Sequence, residues 1–293
     1  MTNTIEIPKS ALREYIDDSQ TRVIIDGVFH ARMSSMIAEK FDSGLYDLAL
    51  QEHANCIKEL QTLDIKYPAN AKPIFYIYIV PDEDFIELLQ YPYKNLKSGG
   101  KPVASYDIDG FNSAYGTSQN LLTGDDKNTI TRHVNRIHEY AHLIQHQFAF
   151  CSKLFGEGFA ELIPWYALEY ESKVPEHLTA MKSLEKIYTA NELISSVEFS
   201  DRIEGKTCSF QPSYISSYLW SRAVVEQIRS KFNLSRKQAI QKFLEYYAFS
   251  GVRQQFFVIE LANFIGMDAE KLLNSNEYQN AVLKQIETES AEN

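Results

Sequence analysis

From Asn128 to its end the chain repeats apolar residues at helical spacing with few breakers, and a segment of this kind buries its apolar stripes only by stacking helix on helix. Helices are expected at about 128–149, 154–170, 176–196, 213–232, 235–249, 252–265 and 268–287, with the acidic stretch after Ile286 fraying. No fixed-period repeat is present, so a solenoid is not expected. The aromatic residues Phe243, Tyr246, Tyr247, Phe249, Phe256 and Phe257 read as core of this helical part.

Upstream the pattern changes. Residues 1 to about 70 read as mostly helical after a short polar start, with Leu45, Leu48, Cys56, Ile57 and Leu60 near helical spacing. The run IFYIYIV at 74–80, dense in β-branched and aromatic residues between Pro73 and Pro81, reads as a buried strand. The turn-rich stretch 98–125 holds VASY at 103–106 and SAYG at 113–116, expected as short strands. The expected fold class is therefore α+β. An N-terminal lobe, 1–126, would carry helices and a small mixed sheet, and a mostly helical lobe, 127–293, would form one catalytic unit with it.

A formal charge of -10, from 39 acidic against 29 basic residues, has the wrong sign for phosphate backbones, so nucleic acid is not an expected partner. Cys56, Cys151 and Cys208 are far apart with no C-x-x-C spacing and are expected as free thiols in a reducing compartment. No basic leader precedes an apolar stretch, and no run nears the ~18 apolar residues of a membrane span. The expectation is a cytoplasmic protein that inserts in no membrane, with unconventional export left open.

The residues that bear chemistry begin with His138-Glu139-Tyr140-Ala141-His142, an H-E-x-x-H string inside an apolar pattern of Ile130, Val134, Ile137, Ala141 and Ile144. On a helix His138 and His142 stand one turn apart on one face, so their imidazoles can converge on one Zn²⁺ at ~2.0–2.1 Å. Metal-bound water has its pKa lowered to about 7, and a carboxylate beside it, here Glu139, can take the proton and pass it to a leaving amine. A third ligand is needed, and GEGFAE at 156–161 supplies candidates. A helical hairpin would return Glu157, 15 residues after His142, over the histidines. Glu161, one turn on, could then accept a ligand histidine's second ring N–H. His146 continues the four-residue series, but three turns of a straight helix cannot all reach one tetrahedral ion, so it is expected either to line the site or to be structural, as is His133.

HEYAH followed by GEGFAEL resembles the gluzincin metallopeptidases, which include the thermolysin, aminopeptidase and bacterial collagenase-like families. The resemblance covers about 128–170 and, more loosely, 210–232. It implies zinc bound by His138, His142 and Glu157, with Glu139 as general base and Glu161 behind the ligands. The interval to Glu157 is shorter than in the aminopeptidases or thermolysin, so Glu161, at 19 residues from His142, competes with it, and the two can exchange roles.

The resemblance also points to Tyr214, at the start of a helix after Pro212, as donor to the oxyanion, with Tyr218 and Arg222 as alternates. It further implies an edge strand that binds an extended substrate, here Ala114, Tyr115 and Gly116. A G-x-M-E-N string is missing, which favours an endopeptidase over a free-amine-recognising exopeptidase. The resulting expectation is a zinc-dependent peptidase acting on peptides or proteins. Its rivals are a dedicated processing protease or effector with one partner, and an inactive binding protein of the same fold.

Overall fold

The computed structural model describes residues 22–25, 29–33, 43–69, 75–80, 103–106, 112–117, 129–148, 153–195, 210–247 and 254–291. The chain divides into two compact units, Met1–Lys58 with Asn70–Thr129, and Glu59–Ala69 with Ile130–Asn293. Whereas the sequence leaves 59–69 in the N-terminal lobe, this segment belongs with the helical unit.

In the first unit the backbone runs extended through β1 (Arg22–Ile25), β2 (Phe29–Met33), β3 (Phe75–Val80), β4 (Val103–Tyr106) and β5 (Asn112–Thr117), paired in the order β1-β2-β3-β5-β4. Helix α1 (Ser43–Gln61) begins in this unit and ends in the other. The expectation that residues 1–70 are mostly helical misses β1, whose β-branched Val23, Ile24 and Ile25 favour extended backbone, and β2, which pairs with it.

Of the residues described down to their side chains, 80% are helical and none lies in a strand. This corrects the expected α+β fold with a small mixed sheet: the body that holds the chemistry-bearing residues is built of helices, with no strand among its described residues. Its core comes from stacked helices and the 59–69 segment.

The helical unit continues with α2 (Thr129–His146), α3 (Lys153–Leu162), α4 (Pro175–Lys182), α5 (Ala190–Ser195), α6 (Pro212–Phe232), α7 (Arg236–Tyr247), α8 (Gln254–Ile265), α9 (Ala269–Asn274) and α10 (Glu277–Ala291). Helix α6 is its axis: every residue from Ser213 to Val225 is buried, so helices pack on all its faces. Trp165, Trp220, Tyr140, Tyr218, Phe159 and Phe243 are the largest fully buried side chains. Phe257 is also buried, whereas Phe256 faces outward.

Three expected helices differ, each for a local reason. The helix expected over 154–170 widens into a π-turn at Ile163–Ala167, closed by Leu168 N–H donating to Ile163 O at 3.0 Å; Pro164 has no N–H to continue the α pattern. The helix expected over 176–196 breaks after Lys182 and restarts at Ala190 behind a reciprocal cap. There Thr189 Oγ1 accepts from Glu192 N–H at 3.3 Å and Glu192 Oε2 accepts from Thr189 N–H at 2.8 Å. The helix expected over 268–287 breaks at Ser275, whose Oγ accepts from Glu277 N–H at 3.1 Å and starts α10. The tail does not fray at Ile286: α10 runs to Ala291, and Glu289 Oε2 lies 3.2 Å from Arg222 Nη2.

The 59–69 segment is tied down by name. Tyr170 Oη donates to Glu59 Oε2 at 2.9 Å, and His133 Nε2 lies 3.1 Å from Glu59 Oε1, which gives His133 a structural place. Lys66 N–H donates to Gln241 Oε1 at 2.9 Å while Gln241 Nε2 donates back to Lys66 O at 3.0 Å. Cys56 is buried and forms no disulfide among the described residues; Cys151 and Cys208 lie outside the described residues. Among the described residues, no helix is long and apolar enough to cross a membrane.

Candidate metal centre

Helix α2 is amphipathic as its sequence suggests, except that Ile130, expected on the buried stripe, is 47% exposed. Val134, Ile137, Ala141, Leu143 and Ile144 are fully buried and seat it in the helical unit, which turns His138 inward at 4% exposure. His142 lies one turn on, and Glu139 beside His138 is half-buried. The side chain of His146 lies outside what is described.

Helix α3 brings the second half of the site. It can lie close against α6 because residue 158 is glycine: a Cβ there would come within 2.3 Å of Ser221 Oγ and 2.7 Å of the Ser217 carbonyl oxygen. Ser217 and Ser221 are the matching small residues on α6, one turn apart and buried. This contact sets the depth of Glu157, the residue before Gly158, and of Glu161, one turn beyond.

Three atoms converge as a result. His138 Nε2 and His142 Nε2 are 3.2 Å apart, and Glu157 Oε2 lies 3.2 Å from the first and 3.4 Å from the second. Ligand atoms held at ~2.0–2.1 Å around a tetrahedral ion stand about 3.3–3.4 Å from one another, so this near-equilateral triangle has the dimensions of one face of such a site. Glu157 Oε2 is buried with no hydrogen bond of acceptable angle, even with two ring nitrogens this near. His138, His142 and Glu157 thus form a group that can hold a metal ion.

Each histidine has a polar side chain beside its other nitrogen. His138 Nδ1 faces Glu161 Oε1 at 2.9 Å, and Glu161, 1% exposed, accepts through Oε2 from the Trp165 indole N–H at 2.6 Å. His142 Nδ1 lies 3.1 Å from Gln145 Oε1. Of the two glutamates left competing by the sequence, Glu157 joins the imidazole nitrogens and Glu161 stands behind His138.

The electrostatics of the group favour a cation. Burial alone would push the His138 pKa down, but the nearby carboxylates, Glu161 first and then Glu157, outweigh it and hold the ring well above its ordinary value. His142 is also raised: burial works against this, and Glu157 supplies the larger opposing part. Burial would raise Glu157, yet the neighbouring histidines, His142 foremost, hold its carboxyl far below the usual range. The negative charge of Glu139 acts on both rings in the same sense.

Tyr214, buried at the start of α6, has its ring centroid 6.1 Å from that of His138. Its two alternates are placed elsewhere. Tyr218 and Arg222 both bond to Glu171, and Arg222 Nη1 lies 3.1 Å from Tyr218 Oη. Ala114, Tyr115 and Gly116 belong to β5 in the other unit, where Ala114 is in register with Ile77 and Ala104; paired on both sides by β3 and β4, β5 is not the edge strand expected. Gly110 and Phe111 lie outside the described residues.

Sequence reasoning misses Gln145, Trp165 and the packing role of Gly158. A signal for Gln145 exists: it is a polar residue on the buried face of α2, directly after Ile144 and one turn from His142. Compared with known protein families and with curated proteins, the chain matches none.

Proposed function

We propose that this chain is a zinc-dependent peptidase of gluzincin type, acting on peptide or protein substrates as an endopeptidase. The observation that carries this reading is the triangle of His138 Nε2, His142 Nε2 and Glu157 Oε2, with Glu139 next to it on the same helix. Two imidazoles and one carboxylate are the donor set of catalytic zinc sites that keep a fourth position open. When bound, zinc would polarise a scissile carbonyl and bring a water's pKa to about 7.

The chain's own residues do the rest. Glu139 accepts the proton of the attacking water and returns it to the leaving amine, a carboxylate task that needs reach more than an unusual pKa. Tyr214, against His138, donates its phenolic O–H to the oxygen on which negative charge develops. Glu161, fixed by the Trp165 indole, holds the His138 ring in place.

The test begins with metal content. Protein purified without chelator is expected to hold one zinc per chain, and His142→Ala and Glu157→Ala to hold none. A mass-spectrometric screen of a mixed peptide pool then reads cleavage, with Glu139→Gln as the inactive reference. Absence of zinc uptake removes the reading. Cleavage of a single protein with none of the pool converts it into the dedicated-protease alternative, and full zinc with no cleavage of anything leaves the binding-protein alternative.

A further inference from the structure

Gln145 is 1% exposed and sits one turn past His142 on α2. Its amide has two chemically different ends, and each has a partner: Nε2 donates to the Phe155 carbonyl oxygen at 3.0 Å, and Oε1 lies 3.1 Å from His142 Nδ1. The order cannot be reversed. A carbonyl oxygen only accepts, so the NH₂ end must face Phe155, and the end left for His142 is itself an acceptor. Nδ1 must then carry the ring proton. In the neutral ring the lone pair is on Nε2, the nitrogen that points at His138 Nε2 and Glu157 Oε2.

The opposite tautomer would set two lone pairs against each other at Gln145 and thrust an N–H into the triangle. A backbone carbonyl on one element thus dictates which nitrogen of a histidine on another is free to bind. Phe155 also lies two residues before Glu157 in the first turn of α3. The same amide therefore ties the helix carrying His142 to the helix carrying Glu157. His138 is placed differently, with its Nδ1 2.9 Å from a carboxylate, which has no proton to give to a carbonyl.

From this we infer that Gln145 is a positioning residue of the metal centre, setting His142 to bind through Nε2 and holding Glu157 in reach. The inference rests on reading the triangle as a metal site. Its test combines zinc affinity, by competition with a chromophoric chelator, with the His142 tautomer, read from ring ¹⁵N shifts of the metal-free protein at pH 9.5. Wild type is expected to show the Nδ1–H tautomer. Gln145→Met, which keeps the length and loses both hydrogen bonds, is expected to mix tautomers and weaken zinc binding by about 10- to 100-fold. Gln145→Glu is expected to keep the Nδ1–H tautomer but melt lower in the metal-free state, since Phe155 loses its donor.

A wild-type chain that takes up no zinc removes the metal-centre reading and this inference with it. Normal zinc uptake with His142 protonated at Nε2 overturns this inference alone. So does a folded Gln145→Met variant that binds zinc within about twofold of wild type. The wild-type tautomer needs no variant and so decides even if Gln145→Met fails to fold.

Discussion

Tyr214 and Arg222 stand about two turns apart on α6, and each anchors a cluster of buried polar groups, but the two clusters close their charge in different ways. Around Arg222 a permanent cation meets Glu171 directly, reaches Glu289 at 3.2 Å, lies over the Tyr166 ring and is bridged to Glu171 by Tyr218. Burial pushes the Glu171 pKa up, and the guanidinium beside it opposes this. Near Tyr214, Glu157 is set against two imidazoles, which supply positive charge only by taking up protons. Burial and the number of titratable groups do not separate the two clusters. What separates them is that one is completed by the chain's own permanent charge, while the other calls for a proton or a metal from outside.

The comparison can be broken at either end. The largest effect is expected from Glu139→Gln, which should lower turnover by roughly a thousandfold, about 4 kcal/mol of barrier, with zinc content unchanged by elemental analysis. Loss of zinc in this variant would mean that Glu139 belongs among the ligands. At the other end, Arg222→Met leaves Glu171 buried without its cation and should cost about 3–5 kcal/mol in urea unfolding while zinc stoichiometry stays at one. Should zinc be lost as well from the folded variant, the two clusters are not independent.

Smaller effects sharpen the contrast. Zinc at about a hundredfold excess over its Kd should stabilise the wild type by about 2.7 kcal/mol over chelator-treated protein, and Glu157→Ala should abolish that gain. The same comparison in Arg222→Met should show the gain intact. Gly158→Ala forces a methyl group against Ser221 and the Ser217 carbonyl and should cost about 1–3 kcal/mol in thermal unfolding. It should also weaken zinc binding, because α3 must back away from α6 and carry Glu157 with it. A stable Gly158→Ala variant with wild-type affinity would show that the glycine contact does not set the ligand's position.

What the sequence makes legible here is what one helix can encode by itself. His138 and His142 share a face because they are four apart, and so do Glu157 and Glu161; those spacings need no tertiary knowledge. The division of labour between Glu157 and Glu161 is not encoded that way, since it depends on how deeply α3 sits against α6, which Gly158, Ser217 and Ser221 decide together. Gln145 and Trp165 have roles only through partners on other turns and elements, so no periodicity marks them. The runs at 74–80, 103–106 and 113–116 do fall on strands, but local propensity says nothing of which segments build the body around the site, and that body is helical, so the fold class is misjudged. Conversely, the 59–69 segment gives no sign of its helical allegiance, since Glu59 and Lys66 find their partners 74 to 175 residues further on.

That last feature bears on how the protein is made. Glu59–Ala69 leaves the ribosome early, but the side chain that clamps Lys66 belongs to Gln241, 175 residues later. At a synthesis rate of about 5–20 residues per second, the segment waits roughly 9–35 s for that partner. Leu60 and Leu63 of the same segment are buried in the finished fold. The helical unit therefore cannot be finished in the order in which it is translated, and a fragment starting at residue 130 would be born without a piece of its own interior.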